Sequence, residues 1–221
     1  MIHRRRAHNL LGLSRHEPTL ALDLALRKAK PSPDLEPMLG KSGAWTLQRR
    51  LPDGRIATLH SPRDPRAEAA RQVKARLAAF LGQEGQGGVC LILGLGLGWP
   101  ALAAAELLPK ATALWIADAR ADAFLLGLDR LDLTALWSRA RVRVRFGPPE
   151  PGLLDRLSGC AWGVSVQDGL LEAHPGGRAW ALEWLKAAEG ALGHAPAPAD
   201  TSGLPAWLGL CATTRLRGEL A

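Results

Sequence analysis

The rhythm of apolar and polar positions changes near residue 88, and the two sides of that point predict different architectures. Before it the pattern is mixed. Residues 19–30 carry Leu20, Leu22, Leu24 and Leu26 and predict a short helix. Pro31, Pro33 and Pro37 then predict a linker that cannot be helical. Residues 44–48 and 56–60 flank Pro52-Asp53-Gly54, whose glycine can take the positive φ of a tight turn, so a β-hairpin is expected. Asp64-Pro65 has the form of a helix start, with an N-cap aspartate and proline at the first helical position. Ala70, Val73, Leu77 and Phe80 follow at steps of three and four and predict one buried stripe. A glycine-rich joint at residues 82–88 is the best domain boundary.

Beyond the joint, strands and helices alternate. Residues 89–93 are continuously apolar, as in a strand covered on both faces. A helix is predicted over 100–108, a second buried strand over 113–117 ending at Asp118, and helices around 120–127 and 132–139. Residues 141–146 alternate perfectly and predict an edge strand whose arginines face solvent. A further strand over 163–167 ends at Asp168, and a helix spans 178–189. This order predicts an α/β protein: a Rossmann-like, methyltransferase-like parallel sheet flanked by helices, preceded by a small α+β region with the hairpin. The domain boundaries read as a basic arm and linker over 1–40, hairpin plus helix over 41–82, the α/β domain over 88–192, and a Pro/Ala-rich tail over 193–221.

Charge changes the picture at one end only. Arg4, Arg5, Arg6, Arg15, Arg27, Lys28 and Lys30 stand against Glu17 and Asp23, so five of the net seven positive charges fall within residues 1–30. The rest is nearly balanced, so the basicity belongs to a terminal arm that could touch an acidic partner, nucleic acid or a membrane surface, with a solvated terminus as the favoured reading. The arginine run Arg139, Arg141, Arg143 and Arg145 lacks interleaved aromatics and is read as a solvated strand face. Nucleic acid is therefore not an expected partner. Cys90, Cys160 and Cys211 lie far apart with no CxxC pair, which argues against a disulfide framework or a cysteine-rich metal site and favours a cytoplasmic setting. Residues 89–105 carry no charge, but alternate glycines and Pro100 interrupt them, so no membrane span is expected.

The sharpest chemical signal is Gly94-Leu95-Gly96-Leu97-Gly98, placed between a strand and a helix. A turn this tight leaves backbone N–H groups at a helix N-terminus, where an anion or the polar end of a nucleotide can approach. Trp99 stands where a dinucleotide fingerprint would continue, and no Gly-Lys-Ser/Thr follows. The spacing G-x-G-x-G instead resembles the first motif of class I S-adenosylmethionine-dependent methyltransferases. Asp118, at the end of the second strand, is placed to accept hydrogen bonds from ribose hydroxyls. The candidate binding residues are Gly94, Gly96, Gly98, Asp118 and Asp168, with S-adenosylmethionine, a nucleotide or a nucleotide sugar as ligand and no metal. Alternatively, the glycines let the helix pack closely on the sheet, Asp118 caps the next helix, and Asp168-Gly169 is a turn. His60 and His174 are acid/base groups by type, but no partner in the sequence marks either as catalytic.

Taken together, Gly54-x-Ile56, the run Leu59-His60-Ser61-Pro62-Arg63-Asp64-Pro65-Arg66-Ala67-Glu68-Ala69 and Leu93-Gly94-Leu95-Gly96-Leu97-Gly98-Trp99 resemble the N-terminal region of the bacterial motility accessory factor family, which is related to archaeal 6-hydroxymethylpterin diphosphokinases. Leu171-Glu172-Ala173-His174-Pro175 resembles a later step of the same pattern. The resemblance covers roughly residues 40–190 and implies an association with flagellin glycosylation by nonulosonic acid sugars. The family's catalytic domain follows this region, and no matching motif appears after His174. The expectation is thus a leading domain standing alone, not catalytic by itself, beside a protein partner that carries the chemistry. A methyltransferase is the competing expectation, weakened because Leu91-Ile92-Leu93 lacks the acidic residue that usually precedes the loop.

Overall fold

A computed structural model describes residues 2–26, 32–81, 88–155, 160–172 and 174–192. The fold is mixed α/β, with two sheets. Strands β1 (Leu35–Leu39), β2 (Trp45–Arg50) and β3 (Ile56–Thr58) form an antiparallel sheet in that order. The β2–β3 pair is the predicted hairpin, with Gln48 opposite Thr58 and Gly54 at φ 82° in its turn. β1 runs where the prolines predicted only a linker. Its Pro37 sits opposite Leu47 on an edge strand, where a missing N–H costs no internal ladder bond.

The second sheet is wholly parallel, in the order β6-β5-β4-β7, from β4 (Val89–Leu93), β5 (Ala113–Asp118), β6 (Val142–Phe146) and β7 (Trp162–Val166). β4 is buried at every residue because its two faces feed two cores. Cys90 and Ile92 join the core that holds Phe124, Leu97 and Leu136, whereas Val89, Leu91 and Leu93 pack in the core with Trp162, Trp180 and Trp184. That double burial is the reason the strand carries no polar alternation. Among the described residues, no helix is long and apolar enough to cross a membrane.

The helices are α1 (Ile2–Ser14), α2 (Pro18–Leu26), α3 (Pro65–Arg76), α4 (Ala78–Leu81), α5 (Trp99–Leu107), α6 (Asp122–Arg130), α7 (Thr134–Trp137), α8 (Asp168–Glu172) and α9 (Gly177–Leu192). α3 begins as its sequence predicts, with the Asp64 carboxylate accepting from the Ala67 amide at 3.0 Å. Ala69 rather than Ala70 completes its buried stripe with Val73 and Leu77. α9 is fixed to the end of β6 by two indoles, since Trp180 and Trp184 both donate to the Gly147 carbonyl at 2.6 and 3.0 Å.

Two expectations need correction. The basic terminus is not a solvated arm: α1 docks on α6 and α7, with Leu13 and Asn9 fully buried. Asn9 donates to the carbonyls of Leu128 and Leu131, each at 2.9 Å, and accepts from the Leu133 amide at 3.2 Å. One side chain thereby joins the end of α6 to the approach of α7. Arg139, placed on a solvated face by its charge run, is also buried. Its guanidinium donates to the carbonyls of Ala105, Leu108, Pro109 and Thr112, which gives the buried carbonyls at and just beyond the C-terminal end of α5 a donor partner. Arg143 and Arg145 do lie on the edge strand, but both pair with Glu17. The joint at 82–87 and the tail at 193–221 lie outside the described residues, as does Cys211.

An N9A variant removes three buried hydrogen bonds and strands their partners. A loss of about 2 kcal/mol or more in urea unfolding is expected, whereas a solvated arm would show no change.

Candidate functional site

The glycine loop lies at the carboxyl end of β4, beside its neighbours β5 and β7. Gly94, Gly96 and Gly98 take φ of 91°, 54° and 116°, so the backbone bends sharply before α5 as the spacing predicts. The consequence read from that bend, bare amides open to a ligand, is not met. Every residue from Gly94 to Gly98 is buried, and each of the five N–H groups has an acceptor within the chain. Gly94 donates to the Ala117 carbonyl at 2.9 Å and Gly98 to Leu95 at 2.9 Å. The amides of Leu95 and Gly96 both donate to Oδ2 of Asp118, at 2.7 and 3.0 Å. The Leu97 amide donates to Nε2 of His60 at 3.1 Å.

Asp118 therefore holds the loop closed through Oδ2. Its second oxygen accepts a long bond from the Arg120 amide at 3.4 Å. Burial pushes the carboxyl above its ordinary value, and the three amides of Gly96, Leu95 and Arg120 oppose that rise. Backbone N–H groups converge on the carboxyl, as they do at anion-binding loops.

His60 reaches the loop from the segment between β3 and α3. Because Nε2 accepts from an amide, the ring proton resides on Nδ1 and the imidazole is neutral. Burial lowers its pKa to about 3. The contact requires glycine at position 96, where a Cβ would stand 2.5 Å from Nε2. Gly127 of α6 makes a comparable close approach from the other side, since a Cβ there would overlap the Leu97 carbonyl oxygen. The segment carrying His60 is itself braced: the Ser61 amide donates to Oε2 of Glu68 at 2.6 Å, and the Ser61 hydroxyl accepts from the amides of Arg63 and Asp64. The two motifs that carried the family resemblance thus interlock in space.

The remaining candidates are dispersed. Asp168 does not end a strand but begins α8, and its side chain lies outside the described residues. Gln167 ends β7's run instead, buried, with Nε2 donating to the Ser165 hydroxyl at 3.0 Å. His174 makes a local contact from Nδ1 to the Pro175 carbonyl at 2.7 Å and is not gathered with His60. Burial pushes the Cys90 thiol well up, out of the range of a nucleophile. Among the described residues, no group of three or more His, Cys, Asp or Glu could hold a metal ion.

Two cavities lie on the carboxyl side of the parallel strands. A small one of about 160 Å³ is lined by His60, Ser61, Glu68, Gln72, Gln167 and Leu170, at the carboxyl ends of β4 and β7. A larger one, about 470 Å³, is lined by Asp34, Arg49, Arg50 and Arg120 with Pro33, Pro52 and Pro175. Sequence reasoning overlooked Arg49. The side chain is 7% exposed, within 3.1 Å of the Asp34 carboxylate and 3.2 Å of Asp122.

The fold and this geometry define a class: an α/β protein whose strand-to-helix glycine loop is closed by its own side chains. Comparison of the chain with protein-family models, curated proteins and solved structures finds no match.

Two consequences follow from the closed loop. D118A leaves the Leu95 and Gly96 amides without an acceptor, and a loss of about 2–4 kcal/mol is expected in chemical unfolding. D118N, which keeps an acceptor oxygen, should lose clearly less. His60 titrates near pH 6.5 when unfolded and near 3 when folded. Its contribution is therefore fully present above pH 6.5 and lost as pH falls towards 3, by at most about 1.4 kcal/mol per pH unit. Subtracting the stability-against-pH curve of H60Q, whose amide oxygen can still accept from Leu97, should isolate that slope. Parallel curves for the two proteins would refute it.

Proposed function

We propose that this chain is a Rossmann-like accessory domain of the motility accessory factor type, non-catalytic by itself, that works beside a protein carrying the transfer chemistry of flagellin or surface glycosylation. One observation carries the reading. His60, from the His-Ser…Asp-Pro segment, is hydrogen-bonded to Leu97 in the glycine loop, so the two motifs of the resemblance behave as one structural unit. The order β6-β5-β4-β7 supports the Rossmann-like part, since the first, second and third parallel strands in sequence run outward to one side and the fourth lies on the other. The closed amides support a structural rather than catalytic duty for the loop.

A methyltransferase is the competing reading, because the loop and Asp118 lie side by side at the ends of adjacent strands. It requires the loop to open, which means giving up four hydrogen bonds: two to Asp118, one to His60 and one between Gly98 and Leu95.

Removing the chain from its host is expected to strip nonulosonic acid from flagellin or another surface protein, as intact-mass spectrometry would read. Purified protein is expected to give no saturable heat with S-adenosylmethionine or S-adenosylhomocysteine. Unchanged glycan mass together with adenosyl binding that D118N abolishes would replace this reading with a methyltransferase.

A further inference from the structure

The 470 Å³ cavity stands apart from the glycine loop and has the makings of a ligand site that the accessory reading does not use. Its place is telling. Arg120 follows the end of β5, Pro175 lies in the turn between α8 and α9 that follows β7, and Asp34, Arg49 and Arg50 come from the facing antiparallel sheet. The cavity therefore opens beyond the carboxyl ends of the parallel strands, the side on which α/β sheets take their ligands.

Its walls favour an anion. Three guanidinium groups line it against the single carboxylate of Asp34. Arg49 forms a fixed floor, held by Asp34 and Asp122. Arg120 is oriented by Asp122 at 2.6 Å and by the Ser32 hydroxyl at 3.2 Å, yet is 42% exposed. Arg50 is exposed at the rim and has no hydrogen-bond or ion-pair partner for its side chain among the described residues. Burial alone would raise the Asp34 carboxyl, but hydrogen bonds from Ser32 and its own backbone amide, with Arg49 and Arg120 beside it, hold it below the ordinary value. Pro33, Pro52 and Pro175 make the remaining wall stiff, so little ordering is needed on binding. Guanidinium forks match phosphoryl oxygens two at a time. The volume far exceeds that of a bare phosphate, so the ligand carries an organic body.

We infer that this arginine-walled cavity binds a phosphate-bearing small molecule of about the size of a sugar phosphate or mononucleotide, with Arg50 and Arg120 engaging the phosphoryl group over the Arg49–Asp34 floor.

Thermal unfolding of the full chain at constant ionic strength tests this, with ribose 5-phosphate, glucose 1-phosphate and AMP as probes and inorganic phosphate, ribose and sodium chloride as comparisons. At least one organic phosphate at about 10 mM is expected to raise Tm by about 3 °C, and by more than inorganic phosphate does, while ribose and chloride do nothing. R50Q, whose side chain has no hydrogen-bond or ion-pair partner among the described residues, should lose most of that rise, and R50Q/R120Q all of it, with unchanged circular dichroism. R63Q, outside the cavity, should retain it. No rise with any organic phosphate, an equal rise with inorganic phosphate, or a rise that survives R50Q/R120Q would overturn the assignment. Adenosyl ligands without phosphate report on the glycine loop alone, so this inference and the accessory reading fail separately.

Discussion

Buried backbone amides must find acceptors, and in this protein that requirement falls hardest on the five N–H groups between Gly94 and Gly98. The turn that lets β4 run directly into α5 strips those groups of regular ladder partners. The chain answers with one carboxylate from the neighbouring strand and one imidazole from the segment ahead of α3. Much of the architecture is subordinate to this closure. β5 must run one residue past the Leu93–Ala117 pair to place Asp118, the segment 60–68 must be braced by Ser61 and Glu68, and α6 must carry Gly127 so that Leu97 can sit against it. The antiparallel sheet is thereby tied to the parallel one by a polar contact, alongside the Arg49–Asp122 ion pair and the Trp99 indole donating to the Trp45 carbonyl.

The same closure separates two properties that the glycine pattern usually joins. A glycine loop at a helix start supplies conformation, because only positive φ makes the turn, and it supplies free donors for a ligand. Here the first is present and the second is used up internally. What remains at the carboxyl edge of the parallel sheet is a basic hollow built largely by side chains from the antiparallel sheet. Side chains rather than amides then set the charge of that edge.

Much of the fold is legible in the sequence, for physical reasons that also explain the lapses. β4 and β5 are readable because double burial leaves uninterrupted apolar runs, and α3 because Asp64 and Pro65 act locally. α1 escapes because its anchoring residue is polar. Asn9 is buried by satisfying three backbone groups more than a hundred residues away, and nothing in local periodicity announces such a partner. Arg139 escapes in the same way, its burial decided by four carbonyls at the end of α5. β1 escapes because proline is a poor strand former except at an edge, and edge position is a property of the assembled sheet. At the site, the bend of the loop is local and readable, and Asp118 and His60 are legible as polar groups, whereas their pairing with the loop amides is decided by the assembled fold.

The pairing of Glu17 with Arg143 and Arg145 has a bearing on how copies of this protein behave in company. β6 is a border of the parallel sheet, with Val142 and Val144 turned inward and a row of backbone groups turned towards whatever comes alongside. Such a border invites a strand from another molecule. The turn between α1 and α2 is tethered there, with the Arg143 guanidinium donating to the His16 carbonyl at 2.8 Å and Glu17 bridging to Arg145 at 2.7 Å. The docked terminus thus places a turn beside that border, on the side where another strand would have to approach.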